Sequence, residues 1–124
     1  MNRGRRPPAS QAPELRRADL RQADAARQAG RLAEAEQIYR AILAGRPDDP
    51  GALHGLAIVA LQAGHPAPAA GLLRRAAAIR PTADLLVDLG LALGLGGDRD
   101  GAITAERRAI ALDPRNAQAH YNLA

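Results

Sequence analysis

Residues 49–81 read DPGALHGLAIVALQAGHPAPAAGLLRRAAAIRP. An apolar run of helix formers stops at Gly64, restarts after His65 and stops again at Pro81. The same punctuation extends in both directions. Gly30, Gly64 and Gly97 lie 34 and 33 residues apart, and so do Pro47, Pro81 and Pro114. Each proline follows its glycine by 17 residues. A fixed period in this range, marked by turn residues, predicts stacked helical hairpins. Pro66 and Pro68 fall in the first turn after Gly64, where their missing N–H groups have no helical partner in any case. They start the second helix of the unit.

Upstream, the segment from Glu14 to Ala29 predicts a weakly amphipathic helix, with Leu15, Ala18, Ala23 and Ala26 among many charges. LAEAEQIYRAIL then places Ala35, Ile38, Tyr39 and Ile42 on one stripe at helical spacing. Gly45 and Pro47 end that helix. Downstream, ADLLVDLGLALGLGG and DRDGAITAERRAIALDP form a third pair, with Asp98 placed to cap its second helix. Asp48 and Asp49 have the ordinary turn and cap role between units. His65 is expected to cap the helix after Gly64. AQAHYNLA begins a fourth unit, which brings the expectation to seven helices.

Composition agrees. The chain has 124 residues, enough for one domain, and 47% of them are hydrophobic. Phe, Trp and Cys are absent, and Tyr39 and Tyr121 are the aromatic residues. The core must therefore be built from Ala and Leu, which favours an all-α class. Without Cys there is no disulfide, thiolate metal site or Cys nucleophile. No apolar run approaches the roughly 20 residues of a membrane span, and no secretory signal follows the early arginines. A cytoplasmic location is the expectation. Residues 1–17 hold Arg3, Arg5, Arg6, Arg16 and Arg17 against Glu14, a net +4. The remainder balances 12 arginines with 12 acids, so nucleic-acid binding is not expected of the folded part. Residues 1–14 read as a disordered Arg/Pro-rich tail and 15–124 as the solenoid.

The pattern resembles the tetratricopeptide repeat, a helix–turn–helix unit of 34 residues. Small residues recur eight places into each unit, at Ala23, Ala57 and Gly90, and five places after each turn glycine, at Ala35, Ala69 and Ala102. Tyr39 occupies the large aromatic place of the first unit, Leu73 the second, and Glu106 departs from it in the third. The resemblance implies a right-handed solenoid of antiparallel hairpins whose first helices line a concave face. It implies that an extended peptide or partner segment binds there. Mapped by helical spacing, the candidate contact residues are Leu20 and Asp24, then His54, Ile58 and Leu61, then Val87, Leu91 and Leu95.

Two ligand modes of the family find no match. A clamp for a peptide's terminal carboxylate needs inward Lys, Asn and Arg, but the chain has no Lys and no Asn between Asn2 and Asn116. An inward asparagine ladder has Asn122 in place, but Asp88, Gly55 and Arg21 at its other rungs. No catalytic set emerges either. Ser10 is the lone serine and lies in the tail. His54, His65 and His120 sit in different units or turns and cannot converge as metal ligands. The glycines at 90, 94, 96 and 97 lack the strand and GK[ST] of a phosphate loop. No cofactor or metal is expected.

The leading reading is a non-catalytic protein-interaction module. A second makes it the N-terminal arm of a larger glycosyltransferase or sulfotransferase. A third is homo-oligomerisation through the C-terminal end, where Tyr121 and Leu123 have no second helix behind them. A fourth is nucleic-acid contact through the arginine tail.

Overall fold

The computed structural model describes residues 13–115, and the side chains of residues 17–115. Six α-helices follow one another: α1 (Pro13–Gln28), α2 (Leu32–Gly45), α3 (Pro50–Gln62), α4 (Pro66–Ile79), α5 (Ala83–Leu95) and α6 (Arg99–Leu112). The expected seventh helix, with His120, Tyr121 and Leu123, lies outside the described residues, as does the arginine tail before Pro13.

Each hairpin turns on its glycine. Gly30, Gly64 and Gly97 have φ of 83°, 84° and 91°, the left-handed region that a side chain disfavours. In all three turns the glycine N–H and the next N–H fold back onto the helix end. Gly30 donates to Arg27 O and Arg31 to Ala26 O; Gly64 donates to Leu61 O and His65 to Ala60 O; Gly97 donates to Gly94 O and Asp98 to Leu93 O. This is the Schellman motif, which satisfies carbonyls the helix itself leaves open. A Cβ at any of the three would meet nothing within 4 Å, so backbone angle and not crowding requires glycine there.

Helix starts are equally local. Pro50 and Pro66 open α3 and α4. Asp49 accepts from Ala52 N at 3.0 Å, Thr82 from Leu85 N at 3.2 Å and Asp98 from Gly101 N at 2.9 Å. His65 holds the N-cap position of α4, yet its side chain makes no cap bond. The expectation that it caps is corrected: Pro68 occupies the place whose N–H serves Asp98 in the third hairpin, and proline has none to donate.

Within each hairpin the partners pack closely, because Ala23, Ala35, Ala57 and Ala69 are fully buried and Gly90 is buried with them. Between hairpins, α2 packs on α3 and α4 on α5. In addition α1 touches α3 and α3 touches α5, whereas α2, α4 and α6 make no such contacts with one another. The first helices thus form an inner row and the second helices an outer one. One apolar cluster joins Ala23, Ala35, Tyr39, Ile42, Leu56 and Val59; another runs from Leu53 and Leu73 through Leu86 to Ala109. Leu43 and Leu72 pack against both, so the core is continuous along the solenoid. A fully buried Leu such as Leu53, Leu73 or Leu86 contributes about 1.5–3 kcal/mol.

Candidate functional site

The inner row carries every described candidate, but it treats them differently. On α5, Leu91 is 43% exposed and Leu95 62%. On α3, Ile58 and Leu61 are half-buried, with Leu61 packed at the edge of the core. These four leave apolar surface open to solvent. Val87 does not: it is 2% exposed and belongs to the core. Its assignment to the binding face is corrected. Helix α5 is apolar on nearly every side and packs against α3, α4 and α6, so a residue expected to face the groove is taken up by the interior. Leu20 on α1 is half-buried and lies over the start of α3, its Cδ1 at 3.3 Å from where a Cβ at Gly51 would stand. It seals the wall between two inner helices.

The polar candidates are tied down. Asp24 accepts a hydrogen bond from the Tyr39 hydroxyl and pairs with Arg27 at 3.8 Å. Arg27 Nε also donates to the Tyr39 oxygen at 3.2 Å. The Tyr39 ring is fully buried against α3 while its hydroxyl reaches this pair on α1. Burial foremost, and then the bond to the Asp24 carboxylate, push the phenol up to about 12, with Arg27 acting the other way. His54 spans the inner face: its Nε2 stands 2.6 Å from Oδ2 of Asp88 on α5, with each side chain about a quarter exposed (27% and 25%). With the carboxylate as acceptor, the imidazole donates.

The sequence does not single out Arg27, and it places Asp88 at an inward position without linking it to His54. Asp88 carried a signal, since it lies 34 residues after His54 on the next inner helix. That spacing is one place off the local repeat, so the contact runs diagonally and a register comparison does not pair the two. Among the described residues, no group of His, Asp and Glu side chains is placed to hold a metal ion, and no helix is long and apolar enough to cross a membrane.

The geometry is therefore a row of paired helices presenting an apolar patch beside a fixed His–Asp link. A model of the tetratricopeptide repeat matches residues 26–89, and a second model of the same repeat matches residues 87–124. The chain belongs to the tetratricopeptide repeat family. It is 35% identical over 106 residues to Cellulose synthase 2 operon protein C of Komagataeibacter xylinus, an alignment that takes in 83% of this chain and 8% of that protein. It is similar in structure to a mutant O-GlcNAc transferase of Thermobaculum terrenum, with 33% identity, a TM-score of 0.83, and coverage of 87% of this chain and 21% of that one. The first TPR of Spaghetti bound to an HSP90 peptide shares the fold, with 18% identity, a TM-score of 0.82, and coverage of 87% and 86%. The chain thus spans a small part of the transferase and a smaller part of the operon protein.

Proposed function

We propose that this repeat segment is a non-catalytic module that binds an extended partner segment along its inner face. The observation that carries the reading is the open apolar surface of Leu91 and Leu95 on α5, continued by Ile58 and Leu61 on α3. Apolar surface exposed on a helix row, with none of the described helices over it, is a site to be covered. The His54–Asp88 link beside it supplies fixed polar atoms for orientation. That a repeat domain of this fold holds a peptide in the Spaghetti structure is in keeping with it. Each well-covered leucine contributes roughly 1.5–3 kcal/mol before the costs of association. The proposed setting is the cytoplasm.

The test selects peptides against the purified chain from a random-peptide display library and measures the selected peptides on Leu61→Glu and Leu91→Glu. The expected result is folded variants that have lost at least about tenfold in affinity. Unchanged affinity on both folded variants overturns the inner-face reading.

A second reading makes the module an arm that positions substrate for a catalytic domain. The likeness to a glycosyltransferase that is several times longer favours it. It predicts no turnover by residues 1–124 themselves. Self-association through Tyr121 and Leu123 is a further part of the proposal. Light scattering across rising concentration, repeated on Leu123→Glu, tests it. A monomer throughout, or a dimer unaffected by that change, removes it.

A further inference from the structure

The outer row carries a surface pattern of its own in the second and third hairpins. In α4, Arg75 and Ile79 lie four residues apart and share the solvent face; in α6, Arg108 and Leu112 do the same 33 residues later. Both arginines are exposed, and Ile79 and Leu112 are 43% and 52% exposed. Arg74 and Arg107, also exposed, stand beside them. Helix α2 lacks the pattern: Ala41 and Gly45 hold the equivalent places, and Arg40 pairs with Glu36 at 3.6 Å. The hairpin therefore folds without it, and packing does not require it. Single exposed aliphatic side chains are ordinary. Here two stand at one place in successive units, each a turn beyond an arginine. Among the described helices α4 packs on α3 and α5, and α6 on α5, so both outward faces are open.

Charge is divided between the two rows. Segments 66–80 and 98–115 hold seven arginines against four acids, whereas inner helices α3 and α5 hold Asp84 and Asp88 and no arginine. Of the four acids, Glu106 is buried against α5, and Asp98 and Asp100 lie at the far end of α6 from Arg108. Asp113 borders the aliphatic end and is matched there by Arg115. Arg75 gives one bond to Pro47 O and keeps its other donors, and no ion pair among the described residues holds Arg107 or Arg108. We propose that this outer face docks on an anionic lipid bilayer, with Ile79 and Leu112 entering the headgroup boundary. Arg75 and Arg108, flanked by Arg74 and Arg107, then meet the lipid phosphates. A dissolved polyanion would engage the arginines alone, whereas a bilayer surface takes both groups. Stacking on nucleic-acid bases is not available here, because the aromatic ring among the described residues, Tyr39, is fully buried. No described helix is long and apolar enough to cross a membrane, so the contact is peripheral. It leaves the inner face turned away from the lipid and stands or falls independently of partner binding there.

The test is co-sedimentation of the full chain with vesicles of equimolar phosphatidylglycerol and phosphatidylcholine, and with phosphatidylcholine alone. Binding is expected to the first and not to the second, and to weaken as salt rises. The double variant Arg75→Gln/Arg108→Gln, folded by circular dichroism, should lose roughly 25-fold in vesicle affinity, about fivefold for each arginine. The folded double variant Ile79→Ser/Leu112→Ser should lose at least about tenfold, which a purely electrostatic contact would not. The chain has no Trp, so Ile79→Trp makes a single reporter whose emission should shift to the blue on the anionic vesicles. A variant with Arg3, Arg5 and Arg6 changed to Gln separates the N-terminal arginines from the outer face and should retain the arginine and aliphatic dependence. The proposal is overturned if the anionic vesicles bind no better than the neutral ones, or if either double variant binds as the parent does. It is also overturned if the reporter shows no shift, if changing Arg3, Arg5 and Arg6 abolishes that dependence, or if duplex DNA or polyglutamate at equal charge concentration binds more tightly than the vesicles.

Discussion

The ring of Tyr39 occupies the space in which a side chain at Gly55 would stand: a Cβ built there lies 2.2 Å from its Cζ. The outer helix of the first hairpin and the inner helix of the second are locked by this contact. Gly55→Ala must displace a buried ring whose hydroxyl is also held by Asp24 and Arg27. The expected cost is about 1–3 kcal/mol, an overpacking penalty. Thermal unfolding checks it. In the Tyr39→Ala background the same change at position 55 should cost little, because the ring it strikes is gone.

The Tyr39 phenol gives the fold a dependence on alkaline pH. The unfolded phenol ionises at its ordinary 10.0 and the folded one at about 12. The neutral form is thus favoured in the fold. Its contribution is fully present below pH 10 and is lost as pH rises to about 12, by up to about 3 kcal/mol. Tyrosinate absorbance in Tyr121→Phe should place the Tyr39 transition near 12, and denaturant melts in Tyr39→Phe should lose this portion of the alkaline slope. A transition near 10 in the folded protein refutes the buried, Asp24-bonded hydroxyl.

Equivalent cap positions should respond differently to alanine. Asp98 caps α6 and stands 4.0 Å from Arg74, an exposed pair of little worth, so Asp98→Ala should cost about 1 kcal/mol, mostly for the cap. His65 makes no cap bond, so His65→Ala should fall within about 0.5 kcal/mol of the parent. Gly101→Ala should cost less than Asp98→Ala, because the atom its Cβ would meet, Asp98 Oδ2 at 2.4 Å, ends an exposed and flexible side chain, and alanine is the better helix former. Chemical denaturation of the three variants decides the order.

Glu106 is a site where the fold can be made more stable. It is 8% exposed and takes the place that Tyr39 and Leu73 fill in the earlier hairpins. Its stem presses on α5, with Cγ 2.9 Å from where a Cβ at Gly90 would stand. Burying a carboxylate costs more than burying an alkyl group of like size. Glu106→Leu should therefore stabilise the chain by about 1 kcal/mol, read as a higher denaturation midpoint at unchanged slope. A loss of stability shows that the carboxylate is held favourably where it is.

Much of this protein is determined by its sequence alone. The hairpin period, the three glycine turns and the Asp49 and Asp98 caps rest on contacts within about five residues along the chain, so a linear reading finds them. The recurrence of alanine where paired helices meet is legible for the same reason, since it repeats in register. What the tertiary structure alone decided is the rotation of each inner helix. α5 is apolar nearly all round and is packed from three directions, so periodicity does not tell buried Val87 from exposed Leu91. The same holds for His54 with Asp88 and for Tyr39 with Gly55. Each joins residues of different units, and the stacking of one unit on the next, which no single unit's sequence contains, brings them together.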